Sequence, residues 1–169
     1  MSEPVGPPAG QSSGSAGGPS GGTVGRRSYR VEARSDAPVE SVWPLLSEAR
    51  RWKEWTFLTR SELEREGDPP PDGVGAIRHF TRYGMGSREE VRAFEPPTRL
   101  AYSILSGFPV RNYLAEVTLS PEGEGTRIVW AATFDERFPG TARLTELMLR
   151  RMIGGFASGL ARYAAQSRS

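Results

Sequence analysis

The sequence predicts one α+β domain in which a curved antiparallel sheet of seven strands wraps a long C-terminal helix, with two short helices after the first strand. Three observations lead to this fold class. Seven segments alternate apolar and polar residues with a period of two, as half-exposed strands do. Short turn-forming stretches separate the last six segments, which is typical of an antiparallel meander. The final apolar stripe has helical spacing.

The first 26 residues differ in composition from the rest of the chain. They are almost entirely Gly, Pro, Ser and Ala, so they cannot bury enough apolar surface to offset the entropy of ordering. We expect a disordered tail over residues 1–26 and a ligand-binding domain over residues 27–169. The tail lacks the apolar region of a secretory signal, and no apolar run approaches the ~20 residues needed to cross a bilayer. We therefore expect a cytoplasmic protein without stable membrane insertion.

Composition also narrows the chemistry. The 169 residues include no cysteine and one histidine, His79, which excludes disulfides, thiolate metal sites and histidine-rich zinc sites. We predict no metal and no cofactor. The 22 basic residues are nearly all arginine and stand among 20 carboxylates. This mixture favours a solvated surface over nucleic-acid binding, so we expect no nucleic-acid partner and leave a homodimer open.

The first strand and the short helices come early in the chain. Residues 27–34 alternate cleanly between an apolar and a polar side, as in a half-exposed strand. Asp36 then offers an N-cap, and Pro38 stands near the first helical position, where its missing N–H costs nothing. Pro44 should kink or shorten this helix. A second short helix is predicted over residues 47–55.

The remaining elements follow in order. The six further strands are predicted at residues 58–66, 74–82, 87–94, 100–105, 111–119 and 126–134. The final helix, over residues 141–166, would be about 38 Å long at 1.5 Å per residue. It contains Gly154, Gly155 and Gly159, each of which costs about 1 kcal/mol in an exposed helix interior. Their placement predicts a close approach of the sheet backbone, or a bend.

This architecture predicts an internal cavity. A strongly curled sheet cannot be filled along its whole length by one helix, and the remaining gap becomes a pocket. Large, mostly apolar pockets are the usual ligand sites of proteins.

The order of elements resembles the helix-grip fold of the SRPBCC (START/Bet v 1-like) superfamily, and more narrowly its polyketide cyclase/dehydrase and lipid-transport branch. The resemblance covers about residues 28–165. It is carried by Trp52, Trp55 and the stretches 37–43, 73–78, 89–91, 96–102 and 125–130. The family includes aromatase/cyclases, lipid and sterol carriers and hormone receptors. The resemblance therefore implies a hydrophobic ligand pocket and leaves the activity open.

Arg78 and Glu89 are the first candidate site residues. If the hairpin turns at Tyr83-Gly84, these two side chains face each other across the strands. Their ion pair could orient a polar ligand group at the pocket wall, or it could be a structural pair worth under about 1 kcal/mol. His79 could act as a general acid or base, but by alternation it points away from Arg78, and a surface histidine is the favoured interpretation. We assign no catalytic residue.

The pocket lining is predicted from the apolar faces. Tyr102, Tyr113, Trp130 and Phe134 lie on these faces and could either stack on a ligand or fill the core. On the long helix, Leu144, Met148 and Met152 are predicted to form the opposite wall, where flexible methionine side chains suit an adaptable pocket.

Three functions follow from this pocket. We favour the binding of a small hydrophobic or amphipathic molecule, such as a lipid, a polyketide-like aromatic or an isoprenoid, without transforming it. The alternative is a polyketide aromatase/cyclase that promotes aldol cyclisation and dehydration, which needs a positioned acid and base. A protein-interaction module is a third hypothesis. Two or more titratable groups converging deep in the cavity would favour the enzyme.

Overall fold

The computed structural model describes residues 26–167. The elements are β1 (Arg26–Ser35), α1 (Val39–Ser47), a 3-10 turn (Ala49–Arg51), α2 (Trp52–Trp55), β2 (Arg60–Arg65), β3 (Ile77–Arg82), β4 (Met85–Glu95), β5 (Arg99–Ser106), β6 (Val110–Glu122), β7 (Gly125–Glu136) and α3 (Ala142–Gln166). The tail predicted over residues 1–26 lies outside the described residues except for Arg26, which begins β1.

The seven strands form one antiparallel sheet in the order β1-β7-β6-β5-β4-β3-β2, so the predicted meander is confirmed. The β3–β4 hairpin turns at Tyr83-Gly84, where both residues have positive φ angles of 49° and 83°. Arg78 consequently stands directly opposite Glu89, as the turn position predicted. The β3 strand begins three residues later than predicted, because Gly75, with a φ of 84°, interrupts the extended backbone before it.

The sheet curls because its pairing register is interrupted at several places. Register shifts occur between Leu63 and Arg65 in β2, between Val91 and Ala93 in β4, at Leu105 in β5, and between Arg111 and Leu114 in β6. Each such bulge bends the strand that carries it and increases the local twist. The concave face of the curled sheet receives α3, as predicted. Among residues 26–167, no helix has the length and apolar character required to cross a bilayer.

The two short helices cover one end of the core. The indole N–H of Trp52 donates to the Leu46 carbonyl at 2.8 Å, and that of Trp55 donates to the Leu45 carbonyl at 3.0 Å. These bonds tie α2 back onto α1. The N-cap position of α1 is Pro38, so the predicted cap at Asp36 is wrong. The helix predicted over residues 47–55 divides into the 3-10 turn and the four-residue α2.

One glycine of α3 explains how the long helix reaches this end. A Cβ atom at Gly159 would lie 2.3 Å from the carbonyl oxygen of Trp55, so α3 can approach α2 only with glycine there. Gly155 has no atom within 4 Å of an added Cβ, and Gly154 makes only an ordinary contact at 4.0 Å. The close approach predicted for the sheet backbone is therefore made by Gly159 alone, and to α2.

Candidate ligand pocket

A pocket of about 390 Å³ lies between α3 and the concave face of strands β3 to β6. It exists because α3 packs mainly along β1 and β7, at one end of the sheet. The helix therefore leaves the middle strands partly uncovered. Most of the lining is apolar. Its buried part comprises Phe80, Tyr102, Tyr113, Leu149, Ile153 and Phe156 together with Ser87 and Glu89.

The rim of the pocket is exposed. Phe57, Met85 and Met148 line it with 44%, 77% and 44% of their surface accessible. They come from the segment after α2, the β3–β4 hairpin and the first half of α3. The pocket therefore has a buried floor and opens to solvent between these three segments.

The floor contains a buried ion pair. Arg78 Nη2 donates a hydrogen bond to Glu89 Oε2 at 3.0 Å, and the Arg78 side chain is fully buried. The guanidinium carbon lies 4.7 Å from the ring centroid of Trp52 and 4.9 Å from that of Tyr102, so aromatic faces contribute cation–π stabilisation. Of the two residues of the ion pair, only Glu89 lines the pocket. Arg78 stands behind it and acts on the pocket through Glu89.

Burial dominates the protonation of Glu89. Desolvation raises the pKa of this carboxyl to about 7, although Arg78 opposes the shift through its charge and its hydrogen bond. A carboxyl with this pKa changes its charge near neutral pH, whereas an exposed glutamate is ionised there. Arg78 Nε and Nη1 have no hydrogen-bond partner among the described residues, so the pair is not a saturated network.

Two tyrosine hydroxyls and the hydroxyl of Ser87 complete the polar part of the floor. The Tyr113 hydroxyl lies 2.6 Å from that of Tyr29, and the Tyr102 hydroxyl accepts a hydrogen bond from Trp130 Nε1 at 3.1 Å. Burial raises the pKa values of Tyr102 and Tyr113 well above their ordinary value, and the charge of Glu89 adds to the shift. Both phenols therefore remain protonated near neutral pH, and they can donate hydrogen bonds but cannot act as bases.

The structure separates the other predicted site residues. His79 is half-buried on the outer face of β3, between Glu62 and Arg88 of the neighbouring strands, and faces away from Arg78 as alternation predicted. Trp130 and Phe134 are completely buried and belong to the packed core, outside the pocket lining. Tyr102, Tyr113, Met148 and Met152 line the pocket with Glu89.

The prediction that Leu144 forms part of the wall is wrong. Its side chain is 72% exposed and lies outside the lining. At 100° per residue, Leu144 points about 140° away from Leu149 around the helix. Besides Met148 and Met152, the α3 wall is formed by Leu149, Ile153 and Phe156, which share one helical face. Phe57 and Phe108 also line the pocket, but they stand in loops, where no periodic pattern marks them.

Other hollows lie on the surface of the described residues. One, of about 480 Å³, lies between α1 and the Pro69–Pro71 loop, and one of about 580 Å³ lies over β1, β6 and β7. Neither of these two contains the Arg78–Glu89 pair, and the buried carboxyl of the first, Asp72, accepts a hydrogen bond from the Ala49 amide at 2.9 Å. We therefore take the α3 pocket as the functional site. In the described part of the chain, no group of three histidine, aspartate or glutamate side chains is arranged to hold a metal ion.

Solved structures with this architecture support the fold assignment. The protein XoxI from Bacillus cereus superimposes with a TM-score of 0.70 at 18% identity, over 84% of this chain and 98% of its own. Norcoclaurine synthase from Thalictrum flavum gives 0.67 at 15% identity, over 87% and 99%. Ara h 8.0201 gives 0.63 at 16% identity, over 84% and 99%. At these identities, the likeness shows a shared Bet v 1-like helix-grip fold.

The family assignment comes from the sequence itself. No curated protein matches the chain. A family model described as polyketide cyclase / dehydrase and lipid transport matches residues 26–167, which span every helix and strand of the domain. The match agrees with the SRPBCC-type architecture and with the apolar pocket. The chain therefore belongs to the polyketide cyclase/dehydrase and lipid transport family.

Proposed function

We propose that the protein binds one small apolar or amphipathic molecule in the α3 pocket and releases it unchanged. The observation that supports this function is the pocket itself, whose walls are apolar and whose floor holds a single buried carboxyl group. Apolar walls contribute affinity, and a few placed polar groups orient the ligand. A lipid, a polyketide-like aromatic and an isoprenoid all have this division of character.

The pocket volume limits the size of the ligand. A volume of about 390 Å³ equals about thirteen water-sized groups at ~30 Å³ each. This is near the lower end of the ~300–1,000 Å³ range of small-molecule sites. A molecule with two or three fused rings, or one short chain, fits this volume, whereas a diacyl lipid would extend well beyond the rim.

A second candidate function is proton-transfer catalysis of the aromatase/cyclase kind. It is favoured by the convergence of Glu89, Tyr102 and Tyr113 on the pocket lining. A carboxyl with a pKa of about 7 can accept a proton from carbon and return it to oxygen, while phenol donors polarise a carbonyl. The carrier remains our first choice because Glu89 is the sole acid or base with a pKa near neutrality on this lining and is already paired with Arg78.

Native mass spectrometry of the protein purified from its own host tests this proposal. We expect a fraction of the protein to carry one non-covalent organic molecule that is lost on denaturation. Recovery of that molecule unchanged after prolonged incubation with fresh protein supports a carrier. A product that has lost the mass of water supports the cyclase. A ligand-free spectrum, together with no detectable binding of naphthalene by calorimetry, would contradict both functions.

A further inference from the structure

We infer that the polar group recognised at the pocket floor is uncharged and donates a hydrogen bond. An alcohol or a phenol would then bind in preference to a carboxylate or an amine with the same apolar body. This inference rests on the proposed binding function and specifies its ligand class. It is carried by the position of Glu89 and by the charge of the Arg78–Glu89 pair.

The hydrogen bonds at the pocket floor show which polar groups remain free to bind a ligand. Glu89 Oε2 accepts from Arg78, whereas Glu89 Oε1 takes part in no hydrogen bond among the described residues. Because Glu89 lines the pocket, a ligand can reach this carboxyl. The Tyr113 hydroxyl is already paired with Tyr29, and the Tyr102 hydroxyl already accepts from Trp130. The charged acceptor left for a ligand is therefore the Glu89 carboxylate, and its complement is a donor. The Tyr102 and Ser87 hydroxyls of the lining can still donate a hydrogen bond, which the oxygen of the same alcohol or phenol can accept.

The net charge of the floor decides against an ionised ligand. Above about pH 7, where Glu89 is ionised, its charge and that of Arg78 cancel, so the buried pair carries no net charge. An anion or a cation entering this apolar pocket would lose its hydration and would meet an ion pair whose zero net charge does not compensate for that loss. A carboxylate would also approach the like charge of Glu89. A neutral hydroxyl avoids both costs and satisfies the free lone pairs.

The other groups that face Glu89 do not change the net charge at the pocket floor. Arg78 faces it from β3, and the phenols of Tyr102 on β5, Tyr113 on β6 and Tyr29 on β1 stay protonated because burial raises their pKa values. From α3 only apolar side chains reach the pocket. Arg82 stands at the exposed rim over the Phe57 ring, at 4.6 Å, where solvent weakens its attraction for an anion.

Calorimetric titration with four probes of one ring system tests the inference. The probes are naphthalene, 2-naphthol, 2-naphthoate and 2-naphthylmethylamine. Near pH 8 the first two are uncharged, 2-naphthoate carries one negative charge and 2-naphthylmethylamine carries one positive charge. We expect 2-naphthol to bind at least about tenfold more tightly than each of the other three, as a hydrogen bond to a charged acceptor provides. In the Glu89→Gln variant its advantage over naphthalene should disappear.

Glu90→Gln is the matched control. Glu90 is the next residue of β4 but points to the outer face, where it pairs with Arg65 and Arg92, so its replacement should leave the ranking unchanged. The wild-type protein gives a test that needs no variant. Between pH 8 and pH 6 the affinity for 2-naphthol should fall by up to about tenfold, because Glu89, with a pKa of about 7, becomes protonated.

Each outcome decides the matter. Equal affinities for the three substituted probes, or tightest binding of 2-naphthoate, overturn the inference while leaving the binding function standing. A pH-independent affinity for 2-naphthol in the wild-type protein also overturns it. Failure of all four probes to bind rejects the binding function and the inference together.

Discussion

Buried carboxyl groups are rare in proteins unless a basic partner lies beside them, and Glu89 has this partner in Arg78. Even so, the carboxyl loses more from leaving water than it regains from the guanidinium, since its pKa rises. The pair is therefore a poor device for stability. The ligand recognition that we propose instead depends on the position of Glu89 on the wall of the pocket.

The raised pKa of Glu89 predicts how stability depends on pH. The folded protein holds this proton up to about pH 7, whereas the unfolded chain releases it near 4.5. The contribution of the group is thus fully present below pH 4.5 and is lost as the pH rises through about 7. We expect the free energy of unfolding of the wild type, relative to Glu89→Gln, to fall by roughly 3 kcal/mol across this window.

Urea denaturation of both proteins at intervals between pH 4 and pH 8 measures this difference. The outer-face variant Glu90→Gln serves as the control and should follow the wild type. A difference between wild type and Glu89→Gln that stays constant with pH would show that the carboxyl is solvated or held ionised.

At the scale of the element, α3 shows why chemically identical residues in one helix differ in importance. Gly159 lies against the Trp55 carbonyl, whereas Gly155 faces open space. The contact of Gly159 sets the distance between α3 and α2. Gly155 lowers the stability of the helix and makes no such contact.

Two alanine substitutions in α3 should therefore act in opposite directions. Gly155→Ala should raise the free energy of unfolding by up to about 1 kcal/mol, the difference in helix propensity between the two residues. Gly159→Ala should lower it, because its Cβ would overlap a backbone oxygen that cannot move without displacing α2. Thermal and urea denaturation of both variants provide the measurement. A stabilised Gly159→Ala protein would show that α2 is not held against α3.

At the scale of the whole molecule, the pocket results from an asymmetric docking of one helix. Because α3 follows β1 and β7, the opposite strands keep their apolar face without a covering element. The curled sheet and the exposed rim then enclose a space that no side chain fills. Ligand binding is thus a property of the arrangement and not of any one motif.

Filling the pocket from α3 should abolish binding without affecting the fold. Met152 lines the pocket and is only half-buried, so Met152→Trp can place an indole inside it. We expect the affinity for naphthalene to fall at least about tenfold, as measured by calorimetry. Leu144→Trp, on the same helix but outside the lining, should change it less than about twofold. Equal effects of the two variants would place the binding site elsewhere.

Some of the site was predictable from local rules. The pairing of Arg78 with Glu89 followed from the position of the Tyr83-Gly84 turn, because a hairpin's turn determines which residues face each other. The orientation of His79 followed from alternation. Local rules failed for Leu144, which belongs to the apolar stripe but stands at its exposed edge. The apolar stripe of α3 is broader than the face of the helix that is buried against the sheet. Periodicity alone cannot show which residues at the edge of the stripe remain exposed.

The sequence by itself determined the elements, their antiparallel order and the face that each strand turns inwards, since these depend on periodicity and turn chemistry between near neighbours. Only the tertiary structure decided that Glu89 lines a pocket while Arg78 stands behind it, and that Trp130 and Phe134 fill the core. Those distinctions depend on how far α3 lies from each strand. The placement of α3 depends on contacts such as Gly159 against Trp55 of α2, between residues about a hundred positions apart.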